Sequence, residues 1–350
     1  MDLLQKILTK VYEPRLKTTT QLTFLKRLSR SLSNGYPLIE ALETMKWDKN
    51  LLSVAEQVII LLKSGETLDK SLEKLSFHPI ITTYLYFAKE HANLEANLNK
   101  CLHIYEQRLN HLKKFTQVIR YPIILIIIFS MVFFFIQHKV LPNLLSLFQQ
   151  NNQESHMINT TITFSSLIYY GFIMVILISL TIYFLWTHMK PKTPVELQIK
   201  LYNMLPIYRG YVKLNTSFLF STHVETLLKT GLPIKDVLTI LSKQTKLPLL
   251  SYYATQLING LNQGFPISLI MEQLTFLSPQ LTSIFQKNSN SESLEKDLAT
   301  YSTFLIDELN DKIVNIITYI QPVFFILLGL IIILIYLSLM LPMYQFINTI

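Results

Sequence analysis

The sequence predicts an all-α polytopic membrane protein with three transmembrane helices and two duplicated cytoplasmic helical-bundle domains. Three observations lead there. One unit occurs twice, because FLKRLSRSLSNGYPLIEALETM at residues 24–45 and FLFSTHVETLLKTGLPIKDVLTIL at 218–241 both read as an amphipathic run, a Gly-x-Pro break and a second amphipathic run. Charge is segregated: residues 1–120 hold 18 of the 31 Lys and Arg and 12 of the 23 Asp and Glu, residues 187–317 hold 12 and 10, and only Lys139 and Glu154 lie outside them. No stretch alternates polar and apolar residues with the β-branched enrichment that strands need.

The repeat extends far beyond its first glycines. Ser64-Gly65 before Leu68 meets Gln263-Gly264 before Ile267, after which the register settles at an offset of 200 residues. Pro79 then matches Pro279, Leu94-Glu95 matches Leu294-Glu295, Pro122 matches Pro322, and Leu141-Pro142 matches Leu341-Pro342. A repeat of this length decides the architecture before any single element does. Each copy runs from a polar helical region into a long apolar segment.

Composition narrows the class. Half of the 350 residues are hydrophobic, 15% are charged, and mean hydropathy is +0.33, which is too apolar for an ordinary soluble domain. A bilayer core of about 30 Å needs roughly 20 apolar residues as helix, and the charge-poor stretches supply three such spans. The net charge of +8 comes from bases scattered among acids and concentrated beside the apolar runs, which suits membrane orientation rather than nucleic-acid binding. The single cysteine, Cys101, shares helical spacing with Leu94, Leu98, Leu102 and Tyr105 and reads as a buried core thiol.

Taken in order, residues 1–18 form an N-terminal amphipathic segment, with Leu3, Leu4, Ile7, Leu8 and Val11 on one helical face. It is either a first domain helix or a docking helix for a partner or the membrane surface. Residues 19–118 are the first cytoplasmic helical domain. Asn34-Gly35 supplies a left-handed helix end, and Pro37 suits the first turn of the next helix. Apolar positions Leu98, Leu102, Tyr105, Leu109 and Leu112 carry the helical spacing past Lys113, Lys114 and Arg120 into the first span, residues 119–137. Domain and span therefore read as one long helix, with Pro122 near the interface, where a kink is tolerated. Residues 138–161 are a polar extracytoplasmic loop, and 162–186 are the second span, with Tyr183 and Trp186 as interfacial aromatics. Lys190 and Lys192 follow, so both basic flanks face the cytoplasm by the positive-inside rule. Residues 193–316 are the second helical domain and 317–343 the third span, which places the C-terminus outside.

No catalytic, cofactor-binding or metal-ligating residue is predicted. Among the eight glycines there is no G-x-x-x-x-G-K-[ST] and no G-x-G-x-x-G to cradle a phosphate. The histidines at 78, 91, 103, 111, 138, 156, 188 and 223 include no H-E-x-x-H and no Cys/His pairing at metal spacing, and His103 and His111 read as exposed helix residues. Glu292, Glu295, Asp297, Asp307, Glu308 and Asp311 read as a solvated face balanced by Lys296 and Lys312, with a hard-cation site as the alternative. The spans carry no ionisable residue, which disfavours a transporter. No aspartate lies at a span, which disfavours an intramembrane aspartyl protease. A polytopic membrane enzyme or transporter of unrelated type is the alternative to a structural role.

The order domain, span, span, domain, span, the breaks Gly35/Pro37 and Gly231/Pro233, the span-entry prolines Pro122 and Pro322, and the Leu-Pro pairs at 141–142 and 341–342 together resemble the inner-membrane platform proteins of type II secretion and type IV pilus machines, the F family. The resemblance covers about residues 20–350, and small size and a short N-terminus are most similar to the competence branch in Gram-positive bacteria. The family's G-E-x-S-G-x-L element is replaced by residues 88–94 and 288–294, and both glycines are lost in both copies. What the resemblance implies is a non-enzymatic, homo-oligomeric platform without cofactors. Its partners would be membrane lipid, a cytosolic hexameric assembly ATPase and pilin-like subunits, with no direct nucleic-acid binding. The fibre's implied use is DNA uptake in competence.

Overall fold

The computed structural model describes residues 16–89, 94–140, 193–288 and 290–348, together with isolated helical positions between 142 and 181. Among the described residues every regular element is helical. The chain divides into two compact units, one drawn from Met1–Asn110 and Ile199–Lys312, the other from His111–Gln198 and Ile313–Ile350. Most of both copies of the helical repeat thus falls in one unit, which the sequence did not indicate.

The first copy folds as α1 (Thr18–Ser33), α2 (Leu38–Met45), α3 (Leu52–Lys63), α4 (Leu68–Lys74), α5 (Pro79–Lys89) and the start of α6 (Leu94–Phe135). Helix α1 buries Gln21, Phe24, Leu25, Leu28 and Ser29, a stripe at spacings of three and four that gives it one inward face. Against it pack Ala41, Leu42 and Met45 of α2, Val58 and Ile59 of α3, and Leu98, Cys101 and Tyr105 of α6, all in one core. Phe24 meets Phe77 edge-to-face at 5.2 Å.

The second copy begins with α7 (Val195–Met204) and then follows the same order: α8 (Pro206–Leu228), α9 (Ile234–Ser242), α10 (Pro248–Asn262), α11 (Ile267–Glu272), α12 (Pro279–Lys287) and α13 (Ser291–Asn348). Phe220, Val224, Leu227, Val237, Leu238, Leu241, Ala254 and Phe276 are fully buried there. Successive short helices pack as neighbours in both copies, α3 on α4 and α4 on α5, α10 on α11 and α11 on α12.

The glycine breaks close the helices in the same way. Gly35, Gly65, Gly231 and Gly264 have φ of 84°, 87°, 80° and 85°. At Gly35 its own N–H reaches the Leu32 carbonyl at 2.9 Å and the Tyr36 N–H reaches Ser31 at 3.1 Å, the paired bonds of a Schellman end. The prolines sit one residue earlier than expected. Pro37 and Pro233 are N-caps, with φ of −57° and −65°, because an extended N-cap suits the fixed proline φ as well as the first turn does. A Cβ at Gly231 would meet no atom within 4 Å, so the cost of a side chain there is conformational. Gly231→Val is expected to destabilise the protein by about 2 kcal/mol and Gly231→Ala by less, read as shifts in denaturant midpoint. Equal effects from the two would argue against a backbone origin.

One correspondence is invisible in the sequence. The backbone N–H of His78, at the entry to α5, is accepted by Gln21 Oε1 of α1 at 2.9 Å, and Tyr105 donates to the same oxygen at 3.3 Å. In the second copy the N–H of Ser278, at the entry to α12, is accepted by Ser217 Oγ of α8 at 2.9 Å, while the Ser278 hydroxyl bonds Tyr301. Different side chains satisfy the same orphan donor at the same turn.

Helices α6 and α13 carry the apolar runs. Domain helix and apolar run are continuous in each, as the spacing predicted, with Pro122 inside α6 and a π-helical turn, Ile136–Val140, after it. Both are long and apolar enough to cross a membrane, and only 17% of the most apolar stretch of each is buried. Ile123, Ile127, Met131 and Phe135 of α6 and Tyr319, Val323, Ile326 and Leu330 of α13 are exposed. Of the expected second span only isolated positions are described. Thr163, Leu167, Tyr170, Gly171, Met174, Leu177, Ile178 and Thr181 are helical and exposed, and the rest of 162–186, most of the segment 1–18 and most of the loop 138–161 lie outside the described residues. So do residues 90–93 and Ser289 of the stretches that replace the family's glycine element.

Candidate functional site

The two copies meet along a polar seam where α5 and α6 of the first face α8 of the second. Helix α8 buries an unusual run: Ser217, Ser221, Thr222 and His223 are at most 1% exposed and Glu225 is 8% exposed. Glu225 Oε2 accepts from Lys100 Nζ of α6 at 2.6 Å, and Thr226 leans on the same carboxylate at 3.4 Å while bonding the Thr222 carbonyl at 2.7 Å. The side chain of Glu225 is 10% exposed and that of Lys100 32%, so the pair is only partly screened by water. A second strut lies farther along, where Lys246 Nζ reaches Glu73 at 2.7 Å and the Thr82 hydroxyl at 2.9 Å.

His223 lies at the centre. Its ring stands 4.0 Å from Phe87 and 5.1 Å from Tyr84, and its Nε2 has no hydrogen-bond partner among the described residues. Burial first, and then the Lys100 charge, hold its pKa down to about 3, so the ring is neutral at physiological pH. Burial likewise pushes Tyr84 well above the usual phenol range and the Cys101 thiol up to about 12. Neither is a nucleophile at neutral pH, because a thiol at that value holds its proton. The seam therefore offers packing and ion pairing. It is also single: at the repeat offsets, Glu225 corresponds to Ser29 and Lys100 to Thr300, so the equivalent surfaces carry no such pair.

Cys101 is in the core, as its spacing predicted. His103 is exposed and lies 3.0 Å from Gln107, whereas His111 is half-buried rather than exposed, because it falls on the flank of α6. Among the acids in the first part of α13, Glu292 pairs with Lys296 at 2.8 Å, Asp297 accepts from Asn288 at 2.8 Å, and Asp307, Glu308 and Asp311 are exposed. Among the described residues no group of three His, Cys, Asp or Glu is arranged to hold a metal ion. Sequence reasoning passed over His223, Glu225 and Lys100. The signal available was a run of small hydroxyls beside an acid on a helix otherwise spaced as core.

The model of the family described as type II secretion system, protein F matches the chain twice, over residues 24–142 and 220–342. The chain belongs to this family. ComG operon protein 2 of Bacillus subtilis is 29% identical over 322 residues, covering 90% of this chain and 99% of the relative. Its homolog in Halalkalibacterium halodurans is 23% identical, covering 91% and 100%. Type IV pilus assembly protein PilC of Pseudomonas aeruginosa is 20% identical, covering 93% and 90%. Each of the two family matches begins in the first long helix of a copy, α1 or α8, and runs through its apolar helix, α6 or α13. In this F-family chain, the seam between copies joins two halves that each match the family.

Proposed function

We propose that this F-family protein is a non-enzymatic platform in the cytoplasmic membrane for assembly of a pilus-like fibre, coupling a cytosolic hexameric ATPase to extraction of pilin-like subunits. The carrying observation is the double family match, each half ending in a helix long and apolar enough to span a bilayer. Similarity along almost the whole length to a ComG operon protein supports DNA uptake as the use of the fibre. Coupling is then mechanical, with force on the cytoplasmic helices reaching the spans through the unbroken helices α6 and α13. A strain lacking the gene is expected to build no fibre and to lose transformation by external DNA. The purified protein is expected to bind the assembly ATPase and to hydrolyse no nucleotide itself. Normal fibres in the deletion strain would overturn the reading.

The proposed topology has the N-terminus and both helical domains, 19–118 and 193–316, in the cytoplasm, spans at 119–137, 162–186 and 317–343, and the loop 138–161 and the C-terminus outside. The Lys and Arg flanks support it. Cysteines placed at Asn152 and Asn348 are expected to react with an impermeant reagent on intact cells, and one at the exposed Asn262 to be protected. Labelling at Asn262 from outside would sink this orientation.

A further inference from the structure

Helix α7 has two faces. Gln198 and Tyr202 are buried, whereas Leu197, Leu201 and Met204 are 49%, 41% and 78% exposed, as is Leu205 just past the helix at 59%. The spacings of four and three put Leu197, Leu201 and Met204 on one helical stripe, and Leu205 follows on the extended residue that caps α8. In helices α1 to α5 the exposed large apolar side chains are Ile39, Leu52 and Ile60, which form no comparable continuous line. Exposed apolar stripes of this kind mark an interaction surface.

The surroundings identify the occupant. Eight residues, 187–194, separate the end of the second apolar stretch from α7 and span at most about 29 Å when extended. Helix α7 is thus tethered within reach of the bilayer surface. Between His188 and Lys213 there are five bases, Lys190, Lys192, Lys200, Arg209 and Lys213, and one acid, Glu196. Tyr202, on the buried side of α7, leads to Tyr208 and Tyr211 of α8, with ring centroids 5.2 Å and 6.2 Å apart. An apolar stripe flanked by bases, on a short helix beside an apolar stretch, is the chemistry of a helix lying in the headgroup layer of an anionic membrane.

We infer that α7 lies flat in the cytoplasmic leaflet, with Leu197, Leu201 and Met204 among the acyl chains and Lys200 and Arg209 on anionic headgroups. The inference rests on the reading that 162–186 crosses the membrane. Such a helix fixes the start of the second copy at the surface, so that α8 leaves the membrane from a defined point.

The test uses the full chain in bilayer discs containing phosphatidylglycerol and nitroxide-bearing lipids. A fluorophore is attached to Met204→Cys, to Leu201→Cys as a second site on the stripe, to Asn262→Cys as a remote exposed control, and to Leu177→Cys within the proposed span. Several-fold stronger quenching at 201 and 204 than at 262 is expected, weakening when phosphatidylcholine replaces the anionic lipid. Quenching at 177 with only control-level quenching at 201 and 204 would overturn the surface helix and leave the span intact. Stripe labels shielded from iodide in water yet unquenched by lipid would overturn it in favour of a protein partner. No quenching at 177 would remove the span and this inference together.

Discussion

Glu225→Ala is expected to lower the stability of the unit that holds both copies by about 2–3 kcal/mol. The change strands the Lys100 ammonium in the seam, and loss of one partner from a buried pair costs about 3–5 kcal/mol; Lys100, at 32% exposure, recovers part of its hydration and brings the figure down. For a unit of this size that corresponds to an apparent melting point lower by roughly 5–10 °C. The double variant Lys100→Met/Glu225→Leu, which replaces the pair by apolar side chains, is expected to return close to the parent or above it. A Glu225→Ala protein as stable as the parent would show that the seam does not hold the copies together. If force passes between the copies across this seam, the single variant should also assemble fibre poorly at temperatures where it remains folded, whereas the double variant should not.

Acid should weaken the same seam through His223. Its folded pKa of about 3 lies below the 6.5 of the free side chain, so the unfolded chain takes up a proton first as pH falls. Stability from the neutral ring is fully present above pH 6.5 and is lost progressively between 6.5 and 3, at about 1.4 kcal/mol per pH unit, or about 2 kcal/mol by pH 5. Tyr84, the titratable ring packed on His223, does not mask this, because burial raises it and it keeps its proton throughout the window. Contributions from carboxylates elsewhere cancel in the comparison with His223→Phe, which keeps a flat ring against Phe87 and Tyr84. The variant is expected to lose the extra acid slope, measured as denaturant midpoint against pH in detergent. Parallel profiles for parent and variant would mean that His223 is solvated and protonates as readily folded as unfolded.

Local chemistry made much of this protein legible without coordinates. Hydrophobic periodicity marked the helices, since a period near 3.6 fits nothing else. Gly35 and Gly231 marked helix ends, since a residue without Cβ is what a positive φ admits, and both have the same left-handed backbone. The apolar runs of α6 and α13 followed from length and lack of charge, and their continuity with the domain helices followed from spacing that passes Lys113 and Arg120 without a break. The doubling of the unit was written as repeated residues, and the family match falls on the same two halves.

What depended on residues distant in sequence was decided only by tertiary structure. Lys100 and Glu225 lie 125 positions apart on different copies, and nothing in either neighbourhood states that they pair. His223 reads in sequence as one more histidine; its neutrality arises because packing between Phe87 and Tyr84 removes the water that would stabilise the imidazolium. Gln21 and Ser217 share no chemistry beyond an oxygen, and only the turn each meets shows that they satisfy the same orphan N–H. The sequence could specify each helix and where it ends, because those are set by bonds within a few residues. Which faces meet is a property of the folded unit, where burial fixes the charge state of a side chain and the partner left for it.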